Sequence, residues 1–192
     1  PQPRQARVDR RTNETSIRAE VDLDRTQAPN ISTGIGFFDH MLEQLGKHGG
    51  IAIKVTCEGD LQVDEHHTVE DVALTLGDAL RSALGDKRGI GRYGFVLPMD
   101  EAEAQVSLDL GGRPYLVFEA DFGRDRVGEL PTELVEHFFR SLSETLKAAI
   151  HVRVRGDNAH HMIESAFKGF ARCLRQACAR EGSDLPSTKG VL

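Results

Sequence analysis

The amino-acid sequence predicts an α+β fold of two tandem, similar halves related by a pseudo-twofold, each a β-sheet covered on one face by helices. Three observations predict it: a series of motifs occurs twice at matching spacing, apolar residues alternate in four short stretches, and other apolar residues recur at helical intervals. Asp39-His40 opens a segment that runs through Gly59-Asp60 to His66-His67 and Glu70, and Glu136-His137 opens another that runs through Gly156-Asp157 to His160-His161 and Glu164. His40 and Gly59 stand 19 positions apart, as do His137 and Gly156, while the following loop is three residues longer in the first copy. A duplicated unit absorbs such an insertion most easily in a turn.

Taken in order, Ile17, Ala19, Val21 and Leu23 alternate as in a half-buried strand. Phe37, Phe38, Met41, Leu42 and Leu45 follow at helical spacing. Ile51, Ile53, Val55 and Cys57 form a second strand pattern, and Val69, Val72, Ala73, Leu76 and Leu80 a helix that opens at His66-His67. A Gly-rich stretch from Gly85 to Gly94 joins the halves, which divide as 1–90 and 91–192 within one compact unit. In the second half Ala104, Val106, Leu108 and Leu110 alternate, and Leu134, Phe138, Ser141, Leu142 and Thr145 are helical in spacing. Ile150, Val152 and Val154 then read as a strand, and Ile163, Phe167, Phe170 and Leu174 as the closing helix. Each half is expected to hold a few antiparallel strands, a helix, one more strand and a final helix. No core pattern extends past about Cys178.

Composition narrows the function. A net charge of -6, with both signs mixed along 192 residues, argues against a duplex nucleic-acid binder but leaves room for local Arg and Lys clusters around a small anion. Cys57, Cys173 and Cys178 are odd in number and lack CxxC spacing, so they read as buried or semi-buried thiols of a reducing compartment. The N-terminal PQPRQARVDRRTNETS has no apolar core, and no segment approaches the 18 or so apolar residues of a membrane helix. A soluble, cytoplasmic protein is expected.

Six of the eight histidines, His40, His66, His67, His137, His160 and His161, fall inside the repeated motifs. On a helix, residues four apart share a face, so His66 with Glu70 and His160 with Glu164 can each grip one metal ion. His67 and His161 lie about 100° around the helix and face a second ion. The economical assignment is one ion held by His66, Glu70, His161 and His137 and another by His160, Glu164, His67 and His40. Three imidazoles and one carboxylate suit zinc, and also octahedral manganese, iron, cobalt or nickel with two open positions. Such positions suit substrate coordination and proton chemistry. Arg92 in GIGRYG, Arg113 in DLGGRP, and Ser187, Thr188 and Lys189 in PSTKG are of the types that bind phosphate, each a weak signal alone. Lys168, two turns beyond His161, reaches either the same pocket or solvent.

The segments FFDHMLEQLGKHG, DEHHTVEDVALTLGDAL, GIGRYG, DLGGRPY, HVRVRGDNAHHMIESAFKGFARCLRQA and PSTKGVL resemble those of the imidazoleglycerol-phosphate dehydratase family, from about Arg7 to the end of the chain. The resemblance implies a duplicated α+β fold, two manganese ions per site, and a homo-oligomer of 24 subunits with sites between neighbouring chains. It implies a carbon-oxygen lyase of histidine biosynthesis that removes water from imidazole-glycerol phosphate to give imidazole-acetol phosphate, with the substrate ring bound as an imidazolate between two ions. It further implies that Glu14 is an acid-base group touching the substrate, and that Arg92, Arg113, Lys168 and Ser187 to Lys189 serve substrate and phosphate. Composition alone would not single out Glu14. Because these residues include neither the phosphatase domain of bifunctional relatives nor a transit peptide, a single-function form, trimmed at Pro1, is expected. Two rivals stand beside this reading. A binuclear phosphate-ester hydrolase would be expected to carry Asp-rich bridging motifs, and a metal-storage shell would leave Arg92, Arg113 and the tail without a role.

Overall fold

The computed structural model describes residues 2–192, the side chains of Val96 and Leu97 excepted. The first half comprises β1 (Gln5–Arg11), β2 (Thr15–Asp22), β3 (Asn30–Ser32), α1 (Gly36–Gly49), β4 (Ala52–Gly59) and α2 (His66–Leu84). The second comprises β5 (Tyr93–Met99), β6 (Ala102–Asp109), β7 (Tyr115–Glu119), the short β8 (Arg126–Val127) and β9 (Leu130–Pro131), α3 (Glu133–Leu146), β10 (Ala149–Arg155) and α4 (Ala159–Cys178). The two four-stranded sheets have equivalent orders, β1-β2-β4-β3 and β5-β6-β10-β7. The 1–90 and 91–192 division falls in the connector between α2 and β5.

Each sheet differs from the all-antiparallel expectation in the same way. β3 pairs parallel with β4, and β7 parallel with β10. Each of these edge strands is reached from a hairpin partner through an excursion and leads back through a helix, as a parallel crossover requires. β1 escapes the alternation rule because only Ala6 and Val8 are apolar among its half-buried positions, Arg10 taking the third.

The helices line the inner sheet faces and meet across the halves: α2 packs on β1 and β2 and against α3, while α4 packs on β5 and β6 and against α1. One continuous core results, with Phe38, Phe138, Phe139, Phe167 and Phe170 at its centre, each no more than 1% exposed. Gly94 is required by this packing, since a Cβ there would stand 2.2 Å from the Cys173 carbonyl oxygen on α4. The three cysteines are buried free thiols, and burial pushes each up to about 12. They are therefore inert toward thiolate chemistry. Among the described residues no helix is long and apolar enough to cross a membrane.

Beyond α4 the chain stays ordered along the connector. Ile90 bridges Arg180, the Gly89 amide donates to the Asp184 carbonyl, and the Glu181 amide donates to the Gly89 carbonyl. A Cβ on Gly89, where φ is +77°, would collide with the Gly182 carbonyl. The absence of an apolar period after Cys178 thus hides a segment held by backbone hydrogen bonds rather than by burial.

Candidate metal centre

Both His-His pairs lie at the first turn of a helix, where local capping fixes them. The Asp64 carboxylate accepts from the His66 amide at 2.9 Å, and Asn158 Oδ1 accepts from the His161 amide at 3.1 Å. Asx side chains just before a helix satisfy its free amides in this way. On α1, the Thr33 amide and hydroxyl both donate to Asp39 Oδ1, securing the turn that carries His40.

Two clusters of metal-ligating composition follow from the cross-half helix pairs. Where α2 meets α3, Glu70 Oε2 lies 3.0 Å from His66 Nε2 and 2.7 Å from His137 Nε2. The His137 contact first, then that of His66, holds the Glu70 carboxyl below its ordinary range. Where α1 meets α4, Glu164 Oε1 is 3.7 Å from His40 Nε2, and Glu164 Oε2 is 3.3 Å from His160 Nε2. Lys168 Nζ adds a contact to Glu164 at 3.2 Å, and the Phe37 ring packs edge-on against His160. In each cluster the donor atoms lie within 4.8 Å of one another, a set of two imidazoles and one carboxylate that fits a borderline or hard divalent ion.

The sequence placed a fourth ligand in each cluster, and the single chain does not bring it there. His67 Nδ1 lies 2.7 Å from Asp60 and 3.2 Å from Glu14, and His161 Nδ1 lies 2.9 Å from Glu101. The reason is rotational: His67 and His161 project about 100° from the His66 and His160 faces, toward the β1–β2 and β5–β6 hairpin tips. These carboxylates raise both rings above the ordinary histidine range, through the hydrogen bonds that Asp60 and Glu101 accept before all else. The sign follows: each pair stabilises the metal-free chain fully below the unfolded histidine pKa, and that contribution fades as pH rises through the raised value.

Glu14 is set beside His67 by its turn. Thr12 Oγ1 accepts from the Glu14 and Thr15 amides, and the Thr15 hydroxyl donates to Asp71 on α2 at 2.6 Å. Arg92, at φ +67°, is a structural hub: it donates to both Asp109 oxygens and, through Nη1, to the Pro186 carbonyl at 2.8 Å. Arg113, Thr188 and Lys189 are exposed, and the Ser187 hydroxyl accepts from the Lys189 amide. Asp60 and Glu101 went unnoticed as site residues. The signal for Asp60 was its place in the repeated Gly-Asp pair. For Glu101 it was a position immediately before β6 that matches Glu14 immediately before β2.

A duplicated α+β chain with paired imidazole and carboxylate clusters at its cross-half helix contacts is the class of protein defined here. The family profile for imidazoleglycerol-phosphate dehydratase matches residues 33–174. The chain belongs to the imidazoleglycerol-phosphate dehydratase family, hydro-lyases of histidine biosynthesis. It is similar to the crystal structure of the dehydratase from Staphylococcus aureus subsp. aureus N315, with 36% identity, 90% of this chain and 97% of that one covered, and a TM-score of 0.81. The enzyme from Pyrococcus furiosus, solved in complex with (S)-C348, gives 35% identity, coverage of 96% and 100%, and a TM-score of 0.83. Among curated proteins, the histidine biosynthesis bifunctional protein HisB of Stenotrophomonas maltophilia (strain K279a) is 63% identical over 99% of this chain and 53% of its own length. The chain spans about half the length of such relatives, which are bifunctional.

Proposed function

We propose that this chain dehydrates imidazole-glycerol phosphate to imidazole-acetol phosphate in the cytoplasm, using two divalent ions per site, manganese first among them. It would do so in a 24-subunit assembly with sites shared between neighbours. One observation carries the reading: each chain holds two three-ligand clusters one imidazole short of the expected set, and two further motif histidines that join neither. His67 and His161 supply the missing ligands if a neighbouring subunit offers them, so that His66, Glu70 and His137 gain one imidazole and His40, His160 and Glu164 the other. Bound ions would supply Lewis acidity toward the substrate's imidazole ring.

The remaining roles fall to the chain itself. Loss of water requires one proton to reach the departing hydroxyl and another to leave the neighbouring carbon, and Glu14, half exposed at a hairpin tip beside His67, would move protons. Lys168 keeps positive charge beside Glu164 and toward the substrate. Arg113 and the Ser187 to Lys189 segment receive the phosphate, while Arg92 holds the tail through Pro186 as well as lending charge. Incubation with substrate and manganese should yield the ketone product. Inorganic phosphate release would support a binuclear hydrolase instead, and neither product a storage role.

Two further outcomes follow. Because His67 and His161 hold protons more tightly than free histidine, ion binding has to displace them. Calorimetric titration with manganese in buffers of different ionisation enthalpy should show proton release that grows as pH falls from 9 toward 6. Release that stays near zero at every pH would contradict the ligand role. Ending the chain after Leu185 should preserve fold and ion content, since Arg92 keeps Asp109. Charge-assisted phosphate contacts contribute about 1.5 to 3 kcal/mol each, so substrate affinity should fall at least about tenfold. Imidazole-type inhibitors without phosphate should bind nearly as before, and equal retention of both ligand types would exclude the phosphate role of the tail.

A further inference from the structure

The two halves solve one problem with different carboxylates. Glu14 and Glu101 are pseudo-twofold mates, each immediately before the second strand of its half's first hairpin, and each lies beside Nδ1 of the second histidine of its pair. In the first half Asp60 also reaches His67 Nδ1, and at 2.7 Å it is closer than Glu14 at 3.2 Å. Its repeat counterpart, Asp157, is exposed on the approach to α4, and Glu101 is the carboxylate hydrogen-bonded to His161, at 2.9 Å, with Asp100 a further carboxylate within 4.8 Å. The Asp60 side chain is only 13% exposed. Both rings remain about a third exposed.

A carboxylate at Nδ1 accepts a hydrogen bond from Nδ1–H, which leaves Nε2 of the neutral ring as the free lone pair. All four cluster histidines also direct Nε2 at their Glu. Resting on the metal-sharing reading above, we propose that Asp60 and Glu101 are positioning residues that hold His67 and His161 in the Nδ1–H tautomer, so that each presents Nε2 as a metal donor. The division of labour has a consequence for proton transfer. Asp60 orients His67 without help, so Glu14 is free to leave for the substrate, whereas Glu101 makes the one hydrogen bond to His161 Nδ1 among the described residues and stays on it.

The test uses full-length protein and manganese alone, with bound ion followed by electron paramagnetic resonance during titration and melting followed in chelator. Glu101→Ala should weaken manganese binding at one ion per chain by about 10- to 100-fold, the usual effect of losing a carboxylate behind a ligating histidine. Glu101→Gln, whose amide oxygen can still accept from Nδ1, should recover most of that loss. Asp60→Ala and Asp60→Asn should behave likewise at the other ion, and Glu101→Ala should still unfold in one cooperative transition in chelator, as a folded chain does. Unchanged affinity in the alanine variants, equal losses in the alanine and amide variants, or loss of the cooperative transition of Glu101→Ala in chelator would each overturn the inference. The underlying metal-sharing reading fails separately, if the unaltered chain binds no manganese or if His67→Ala and His161→Ala bind it normally.

Discussion

Replacing Glu70 with alanine is expected to empty one ion position per chain and lower turnover by at least about 100-fold. Glu70 Oε2 is the atom on which His66 and His137 converge, and it is the one anionic donor of that cluster. Removing a partner that merely orients a ligand already costs about 10- to 100-fold in metal affinity, so removal of a charged donor sets that range as a lower bound. Glu70 is about a third exposed, so the fold should survive. Glu164→Gln makes the equivalent change in the other cluster, and the amide is preferable there because the carboxylate side chain is 9% exposed and faces Lys168. Alanine at that position would leave a cavity and an ammonium without its counter-charge, mixing a stability defect with the metal defect. Elemental analysis after dialysis against excess manganese should find half the ion content in each single variant and none in the double variant. Full content in the double variant would mean that other residues hold the ions.

The duplicated architecture was legible because its signals are local. Periodicity marked β2, β4, β6, β10 and all four helices, and the motif spacing related them as two halves. The edge strands were not legible for the reason edge strands often are not. β3 has three residues, and β1 alternates with charge on its half-buried side. Parallel pairing of β3 and β7 depends on where the chain returns after an excursion, which spacing does not record.

The site divides along the same line. His66 with Glu70 and His160 with Glu164 are one helical turn apart, so sequence distance determined their geometry, and the rotation that separates His67 and His161 from them was equally local. His137 reaching Glu70, and His40 reaching Glu164, required the two halves to pack α2 on α3 and α1 on α4, which the repeat suggested without specifying. Glu14 came only from family resemblance, and Asp60 and Glu101 from the folded chain. Their partners are chosen by the approach of a hairpin tip or a strand end to a helix start, a tertiary event that leaves single carboxylates in unremarkable local sequence.

Phe138→Ala tests how far the site depends on that packing. Phe138 is 1% exposed, sits beside His137 on α3, and meets Phe38 of α1 at 5.6 Å and Phe167 of α4 at 5.0 Å between ring centroids. Its ring therefore touches the helices that carry His40, His160 and Glu164 while belonging to the helix that carries His137. Truncation of a buried phenylalanine costs about 3 to 5 kcal/mol through lost burial and the cavity left behind. Urea unfolding in chelator should show a loss of that size, because metal then contributes nothing to the native state. Its ring pairs with Phe38, Phe139 and Phe167, so a purely local view predicts normal ion binding at low temperature. Relaxation of α1 and α4 into the cavity instead shifts both clusters, and misplacement of reacting groups by about 1 Å can cost about 100-fold in rate. Phe118→Ala, a partly buried ring stacked on Phe139 at the margin of the core, should cost less stability and leave turnover nearly intact. If Phe138→Ala unfolds at the same urea concentration as the unaltered chain, or if Phe118→Ala proves the more damaging of the two, the aromatic centre is not what holds the halves and their ligands in register.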